Sequence, residues 1–363
     1  MPLAPLSFDL PQADLDHVQH GVGAAWLALR GQHLLITGGT GFVGKWLLAS
    51  LLHADRALGL GLRITVLTRD AARFTAMHPA LALAAPVTLL QGDVRSFVLP
   101  ANTRISHVIH AATDVVAPHS LAETFDTCVR GTQQVLQQAQ RVGAQRLLLL
   151  SSGAVYGATP PGLQRLAEDH TGAPDCLQPA SAYGEGKRAS ELLCALAASK
   201  HGLQIPVARC FAFVGPHLPL DKHFAIGNFI GAALRGEPLL IQGDGTPLRS
   251  YLHAADLALW LCTLLLKGHS GTAYNVGGDE AVSIAALAQR VCAVLGSSAR
   301  VEVARTAVPG APVPCYLPDI GRIAQQFGLR PQITLDQAIL RTADWTRHTT
   351  VTQATQPLEH SPC

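Results

Sequence analysis

Charge is scarce in this sequence: Asp, Glu, Lys and Arg together make up 14% of its 363 residues. With 27 Lys and Arg against 25 Asp and Glu, the net charge of +2 is too balanced for the basic stripe that binding to a phosphate backbone demands. Nucleic acid is therefore not an expected partner. The 8 cysteines form no CxxC pair and no Cys/His spacing of a metal site, so no metal is expected and the thiols read as buried groups in a reducing compartment. No apolar run reaches the length that crosses a bilayer, and the opening residues carry Asp9, Asp14 and Asp16 without a basic leader segment. A cytoplasmic protein with no membrane partner is expected. Internal repeats are missing too. Apolar residues, in contrast, are abundant at 48%, enough for one large domain or two unequal lobes sharing a site.

Residues 1–30 read as an extension in which Leu15, Val18, Val22, Trp26 and Leu29 fall at helical spacing. That spacing predicts a docked helix over 14–30. Beyond it, β-type runs at 33–37, 63–67, 87–90, 107–110, 146–151 and 207–211 alternate with helix-length segments, the pattern of an α/β fold with a parallel sheet covered on both faces. Near Gly215 the rhythm changes to Pro/Gly-rich pieces with short helices predicted at 228–235, 254–266, 283–295 and 319–327. These suit a smaller lobe over the carboxyl edge of the sheet, where ligands of open parallel sheets bind.

Residues 37–44, Thr-Gly-Gly-Thr-Gly-Phe-Val-Gly, directly follow a strand run and open a helical one. Strand, Gly-rich turn and helix in this order make a dinucleotide-binding turn. Gly38 permits the tight turn, Gly41 admits a pyrophosphate to the backbone, and Gly44 lets helix and strand pack closely. The pyrophosphate would sit on the free N–H groups of the helix start, beside Thr40, Phe42 and Val43. The expected architecture is thus a Rossmann doubly wound parallel sheet at 31–212, with some later segments returning to it. A C-terminal substrate-binding lobe at 213–348 and a disordered polar tail at 349–363 complete it.

At the end of the second strand run stand Thr68, Arg69 and Asp70. An acid at that place accepts from the ribose 2′-hydroxyl of NAD, whereas a guanidinium pairs with the 2′-phosphate of NADP. Arg69, with Arg73 in support, therefore favours NADP(H), and Asp70 keeps NAD(H) as the alternative. An exposed arginine ending a strand is the plain reading of Arg69. Asp93 and Val94 suit the adenine edge, and Ala111 and Ala112 give a small-residue floor.

Tyr183 and Lys187, four residues apart, share one helix face. Lys187 is expected to lower the phenol's pKa and hold the nicotinamide ribose, while Tyr183 moves the proton at the reacting oxygen. Ser152, ending the buried run 147–150, would hydrogen-bond the same oxygen. A Tyr-x-x-x-Lys pair alone occurs by chance in many helices; its place after the Gly-rich turn and the Ser strand marks it as catalytic.

With these pieces the chain resembles the extended short-chain dehydrogenase/reductase family, the nucleotide-sugar epimerases, dehydratases and reductases, over residues 32–347. Further matches are His110, residues 151–157, Arg209, residues 242–245 and 249–253 with Asp256, and residues 274–278. The resemblance implies a nucleotide-diphosphate sugar as substrate and a homodimer formed through helices at 121–142 and 181–201. In that family 4,6-dehydratases place an acidic pair after the catalytic Ser/Thr. Here Gly153 and Ala154 stand there, and neither transfers a proton. The 3,5-epimerase-reductases use a Cys and a His where this chain has Ala154 and Asn228.

Two reactions need no more than Ser152, Tyr183, Lys187 and a hydride: reduction of a 4-keto sugar, and NAD-dependent 4-epimerisation. Arg69 favours the reductase, and the extension with residues 41–48 is similar to reductases of dTDP-4-keto-6-deoxyglucose, so a dTDP-sugar is expected. A cofactor-binding regulatory protein is the non-enzyme alternative, which has no need of all three catalytic side chains. Cys128 and Ala212 replace asparagines usual in the family, so the substrate's pyrophosphate is expected on Arg249, with Asn228 beside it; a surface salt bridge is the plain reading of Arg249. His217, His223 and His253 read as packed or solvated.

Overall fold

The computed structural model describes residues 6–113, 120–222 and 224–355. Seven strands form one parallel sheet: β1 (His33–Thr37), β2 (Arg63–Thr68), β3 (Val87–Gln91), β4 (His107–His110), β5 (Arg146–Ser152), β6 (Val207–Cys210) and β7 (Ala273–Val276). Their order is β7-β6-β5-β4-β1-β2-β3. Leu34, Leu35, Ile36, Val108, Ile109, Leu147, Leu148 and Leu149 are wholly buried, because helices cover both faces of the sheet. The order reverses between β1 and β4, which opens a crevice at the carboxyl ends of those strands.

Besides a single turn at Pro79–Ala82, the α-helices are α1 (Gln12–Val22), α2 (Phe42–Leu58), α3 (Ala71–Met77), α4 (Leu121–Val142), α5 (Ala182–His201), α6 (Ala225–Arg235), α7 (Ala254–Lys267), α8 (Ile284–Leu295), α9 (Gly321–Phe327) and α10 (Leu335–Thr355). In the extension Leu15, Val18, Val22, Trp26 and Leu29 are all buried. The extension is not one helix, however: Gly23 takes φ +60° and the chain continues as a 3-10 segment over Gly23–Leu29. Gly21 lets α1 lie against α7, since a Cβ there would stand 2.7 Å from the Leu259 side chain.

Two pieces expected in the lobe belong to the main body. β7 pairs with β6, Asn275 opposite Arg209, and α7 is apolar all round, with Leu257 through Leu261 buried as for a helix enclosed on every side. α10 also differs from expectation, since it runs through Thr355 into the segment read as an irregular tail. Hydroxyls of Thr346 and Thr349 bond carbonyls one turn back at 2.8 and 3.0 Å, so the polar residues there serve the helix. Residues 356–363 lie outside the described residues. A small sheet completes the crevice wall: Leu248–Arg249 pairs antiparallel with Val282–Ser283 and parallel with Cys315–Tyr316, setting Arg249 opposite Tyr316.

Candidate active site

β1 ends at Thr37 and the chain turns through Gly38 at φ +72°. A Cβ on Gly38 would stand 2.7 Å from the Ala111 carbonyl, and one on Gly44 only 2.1 Å from the Gly38 oxygen. Both obstacles are backbone, so glycine alone fits. Gly41 differs, because a Cβ there would meet nothing nearer than the Gly38 oxygen at 3.4 Å. It caps α2 without a side-chain bond, which leaves the first-turn N–H groups for an anion. Thr40, Phe42 and Val43 are half-buried around the turn. Ala111 and Ala112 are tied beneath it by bonds from their N–H groups to the Thr37 carbonyl and hydroxyl at 3.1 and 3.3 Å. This cradle, closed to a Cβ below and open above, fits a dinucleotide's pyrophosphate.

Arg69 is exposed where β2 ends. Asp70, the acid that would suit NAD, caps α3 instead by accepting from Arg73 N–H at 2.9 Å. Arg95, donating at 2.6 and 2.9 Å, holds the Asp93 carboxyl down at about 2, and the charge of Arg69 adds to this. Asp93 thus reaches the crevice already engaged. Val94 is buried beside Gly131, where a Cβ would come within 3.1 Å of it.

Tyr183 and Lys187 occupy the first turns of α5, which runs behind β5 and its terminal Ser152. The Ser152 hydroxyl accepts from Ala154 N–H at 3.1 Å, and the phenols of Tyr183 and Tyr316 lie in its neighbourhood. Burial pushes both phenols up, Tyr183 above its ordinary range and Tyr316 to about 12, and the neighbouring Ser152 hydroxyl only partly offsets this. Lys187 was expected to lower the Tyr183 pKa. Its Nζ instead donates to the Leu150 carbonyl at 2.8 Å and lies 5.9 Å from the Tyr183 ring centroid, so burial dominates and Tyr183 stays protonated.

Tyr316 is the residue that sequence reasoning missed. Its hydroxyl stands 2.6 Å from where a Cβ on Gly153 would lie, in the space an acidic side chain after Ser152 would need. The signal available was Gly153 itself, a residue without a side chain beside a serine that faces the crevice.

Other quoted matches prove to be supports. Glu191 accepts from Ser151 and, through both oxygens, from Arg209 at 3.1 and 2.8 Å; Arg209 also donates to the Tyr156 hydroxyl, which donates to Asn275 at 2.7 Å. His110, enclosed between Thr37 at 2.8 Å and Thr132 at 3.1 Å, is driven down to about 3 by burial. Asp256 accepts from Gln332 and Ile333 N–H groups and pairs with His17. His253 caps α7 through Ala255 N–H, and His217 packs between His78 and Trp345. His223 lies outside the described residues.

Arg249 forms no salt bridge among the described residues. Its guanidinium lies over the Tyr316 ring, 5.7 Å from the centroid, and lines a cavity of about 380 Å³ together with Gly157, Thr159 and Tyr316. Asn228 is exposed on α6. No cluster of metal-binding side chains occurs among the described residues, and no described helix is long and apolar enough to cross a membrane.

A glycine cradle at one strand end and a Ser/Tyr/Lys group at another, on one parallel sheet, define an enzyme that works with a nicotinamide dinucleotide. The chain belongs to the NAD dependent epimerase/dehydratase family, whose model matches residues 34–277. UDP-glucuronic acid decarboxylase 3 of Arabidopsis thaliana is 29% identical over 307 residues, which cover 84% of this chain and 86% of that protein. The dTDP-glucose 4,6-dehydratase of Streptomyces venezuelae, solved with NAD and TYD bound, has a TM-score of 0.73 at 25% identity and covers 88% of this chain and 98% of its own. An epimerase of Methanothermobacter thermautotrophicus shares the fold at TM-score 0.75 and 22% identity, over 92% of this chain and 98% of its own.

Proposed function

We propose that the protein reduces the 4-keto group of a nucleotide-diphosphate 4-keto-6-deoxy sugar, a dTDP-sugar by preference, with NADP(H) favoured over NAD(H). The observation that carries this reading is the pair Gly153 and Ala154 directly after Ser152. Elimination of water needs an acid and a base there, and these residues supply neither. Ser152 and Tyr183 suffice for a ketone: Ser152 holds the oxygen, and the protonated Tyr183 gives it a proton. Lys187, fixed on Leu150, would face the nicotinamide ribose. When bound, the reduced nicotinamide supplies the hydride that reaches carbon 4. Gly38, Gly41, Gly44, Ala111 and Ala112 would hold the pyrophosphate and the adjoining ribose. Arg69 would pair with a 2′-phosphate, and Arg249, over the Tyr316 ring, would hold the sugar's pyrophosphate.

A homodimer is part of the proposal. Leu121, Phe125, Leu192 and Leu196 are 40–62% exposed on α4 and α5, an apolar surface that a second copy would cover.

The test is to purify the protein, record its absorbance for bound nicotinamide, and mix it with NADPH and dTDP-4-keto-6-deoxyglucose. Loss of the reduced-cofactor absorbance is expected. Interconversion of two sugars without added cofactor, or release of carbon dioxide from UDP-glucuronic acid, would overturn the reading. The NAD bound in the Streptomyces venezuelae dehydratase favours the second reading, an NAD-dependent 4-epimerase, which the same absorbance scan detects as retained cofactor.

A further inference from the structure

Three titratable side chains from separate segments meet beside the first turn of α2, apart from Ser152, Tyr183 and Lys187. Lys45, the residue after Gly44, places its Nζ 3.3 Å from Nε2 of His78 at the end of α3. Nδ1 of His78 lies 3.2 Å from the Asp9 carboxyl of the extension. The directions of both bonds follow from chemistry. An ammonium only donates and a carboxylate only accepts, so Nε2 accepts from Lys45 and the Nδ1–H donates to Asp9. Carboxylate, imidazole and nucleophile in this order let a histidine take a proton from the group in front of it, while the acid holds the ring in the right tautomer. Here the group in front is an amine.

The surroundings favour that amine in its free form. Lys45 and His78 are half-buried, and burial pulls the Lys45 amine down to about 8 against the opposing charge of Asp9. At pH 8 about half of it is then free amine, against about one part in 250 of an ordinary lysine. His217, from the stretch after β6, sets its ring 5.2 Å from that of His78 at a φ of +70°, and Trp345 of α10 closes its other side at 4.6 Å. Burial drives His217 well down, so it stays neutral and adds no charge against Lys45. Its Nε2 is buried without a hydrogen-bond partner among the described residues. The enclosure thus holds a base, a nucleophile and a polar atom to spare for the carbonyl of an incoming group.

We propose that Lys45 is an acylation site that takes an acyl group from a small acyl phosphate, with His78 as the base and Asp9 as the residue that orients it. The free amine attacks the acyl carbon and the N–C bond forms. His78 Nε2 takes the amine proton as the bond from the acyl carbon to the phosphate oxygen breaks. The imidazolium, held by Asp9, then gives its proton to the leaving phosphate. Amine and acyl phosphate become amide and hydrogen phosphate, with no oxidant and no cofactor consumed. A small donor is required because the amine is half-buried. Nothing in this step uses Ser152 or Tyr183, so the site stands or falls apart from the reductase reading.

The probe is acetyl phosphate, added at pH 8 to the whole chain, and peptide mass spectrometry follows the acetylated fraction of each lysine with time. Lys200, Lys222 and Lys267 are exposed and serve as internal references, since access alone favours them. Lys45 should be acetylated at least about tenfold faster than any of the three, and its rate should rise with pH to a midpoint near 8. His78→Gln, with folding checked by melting curves, should slow Lys45 by about tenfold or more and leave the references unchanged. His78→Ala should do the same, and free imidazole should restore part of the rate at Lys45 alone. Acetylation of Lys45 no faster than that of the references would overturn the proposal. Fast acetylation that survives both His78 variants would overturn it too, and so would a loss in His78→Ala that imidazole leaves unrestored, which makes His78 a packing residue.

Discussion

Gly44→Ala tests whether the glycine cradle is both a packing device and the pyrophosphate site. The new Cβ would lie 2.1 Å from the Gly38 oxygen and 2.5 Å from Gly39 Cα, and neither obstacle is a side chain that can rotate away. Restoring an ordinary contact moves the first turn of α2 by about 1 Å. Overpacking against a rigid neighbour costs about 3 kcal/mol, which for a chain of this size lowers the melting temperature by about 4 °C. The same movement carries the N–H groups of α2 away from an anion; losing one charge-assisted bond weakens binding by about tenfold to a hundredfold. Gly41→Ala is the control, because its Cβ meets nothing nearer than 3.4 Å at a φ of −79° that alanine accepts. It should melt with wild type and still bind NADPH about tenfold more weakly, since the added methyl occupies the open side of the turn. Thermal melting with calorimetric titration of NADPH reads both quantities. A Gly44→Ala protein with wild-type melting would refute the packing argument, and a Gly41→Ala protein with wild-type affinity would remove the pyrophosphate from the turn.

Trp26→Ala empties a wholly buried site and breaks the bond from its indole to the Gln19 carbonyl at 3.1 Å; a loss of about 3–5 kcal/mol in urea unfolding is expected, and a change below about 1 kcal/mol would mean that the extension does not stabilise the body. Burial holds His107 and His253 at about 4 and His110 at about 3, below the ordinary value of about 6.5. The unfolded chain therefore takes protons that the native one refuses, so stability is complete above about pH 6.5 and falls as pH drops toward 4, by about 1.4 kcal/mol per unit for each histidine. Urea midpoints that stay flat from pH 7 to 4 would contradict this, and His110→Gln should reduce the slope by one proton. Arg69→Ala should raise the KM for NADPH by about tenfold and leave that for NADH alone; equal change in both removes Arg69 from the 2′-phosphate.

Much of the body was legible because its strands have no alternative. A run such as Leu34-Leu35-Ile36 before a glycine turn can be satisfied only by burial on both faces, and the five apolar positions of the extension likewise had one place to go. β7 escaped because Ala273–Val276 carries Asn275, a polar residue at a wholly buried site whose partners, the Tyr156 hydroxyl and the Leu166 and Asp319 carbonyls, come from distant segments. α7 escaped for the opposite reason, since a helix apolar all round gives no stripe to say which side faces the sheet. The site divides in the same way. Ser152, Tyr183 and Lys187 were readable because strand end and helix face fix them locally. Tyr316 was not, because a two-residue strand in a Pro-rich stretch has no periodicity, and its place is set by distant segments, the pairing with Arg249 and the Phe211 ring 4.7 Å away. Gly153 could be read as the absence of an acid, but not as room for a phenol that arrives from the far end of the chain. An acid introduced at 153 must therefore do more than add a proton donor: it has to displace Tyr316. For that reason Gly153→Glu should disrupt the Ser152 hydroxyl without conferring dehydration, and formation of a 4-keto-6-deoxy product from dTDP-glucose by that variant alone would show that Tyr316 yields its place freely.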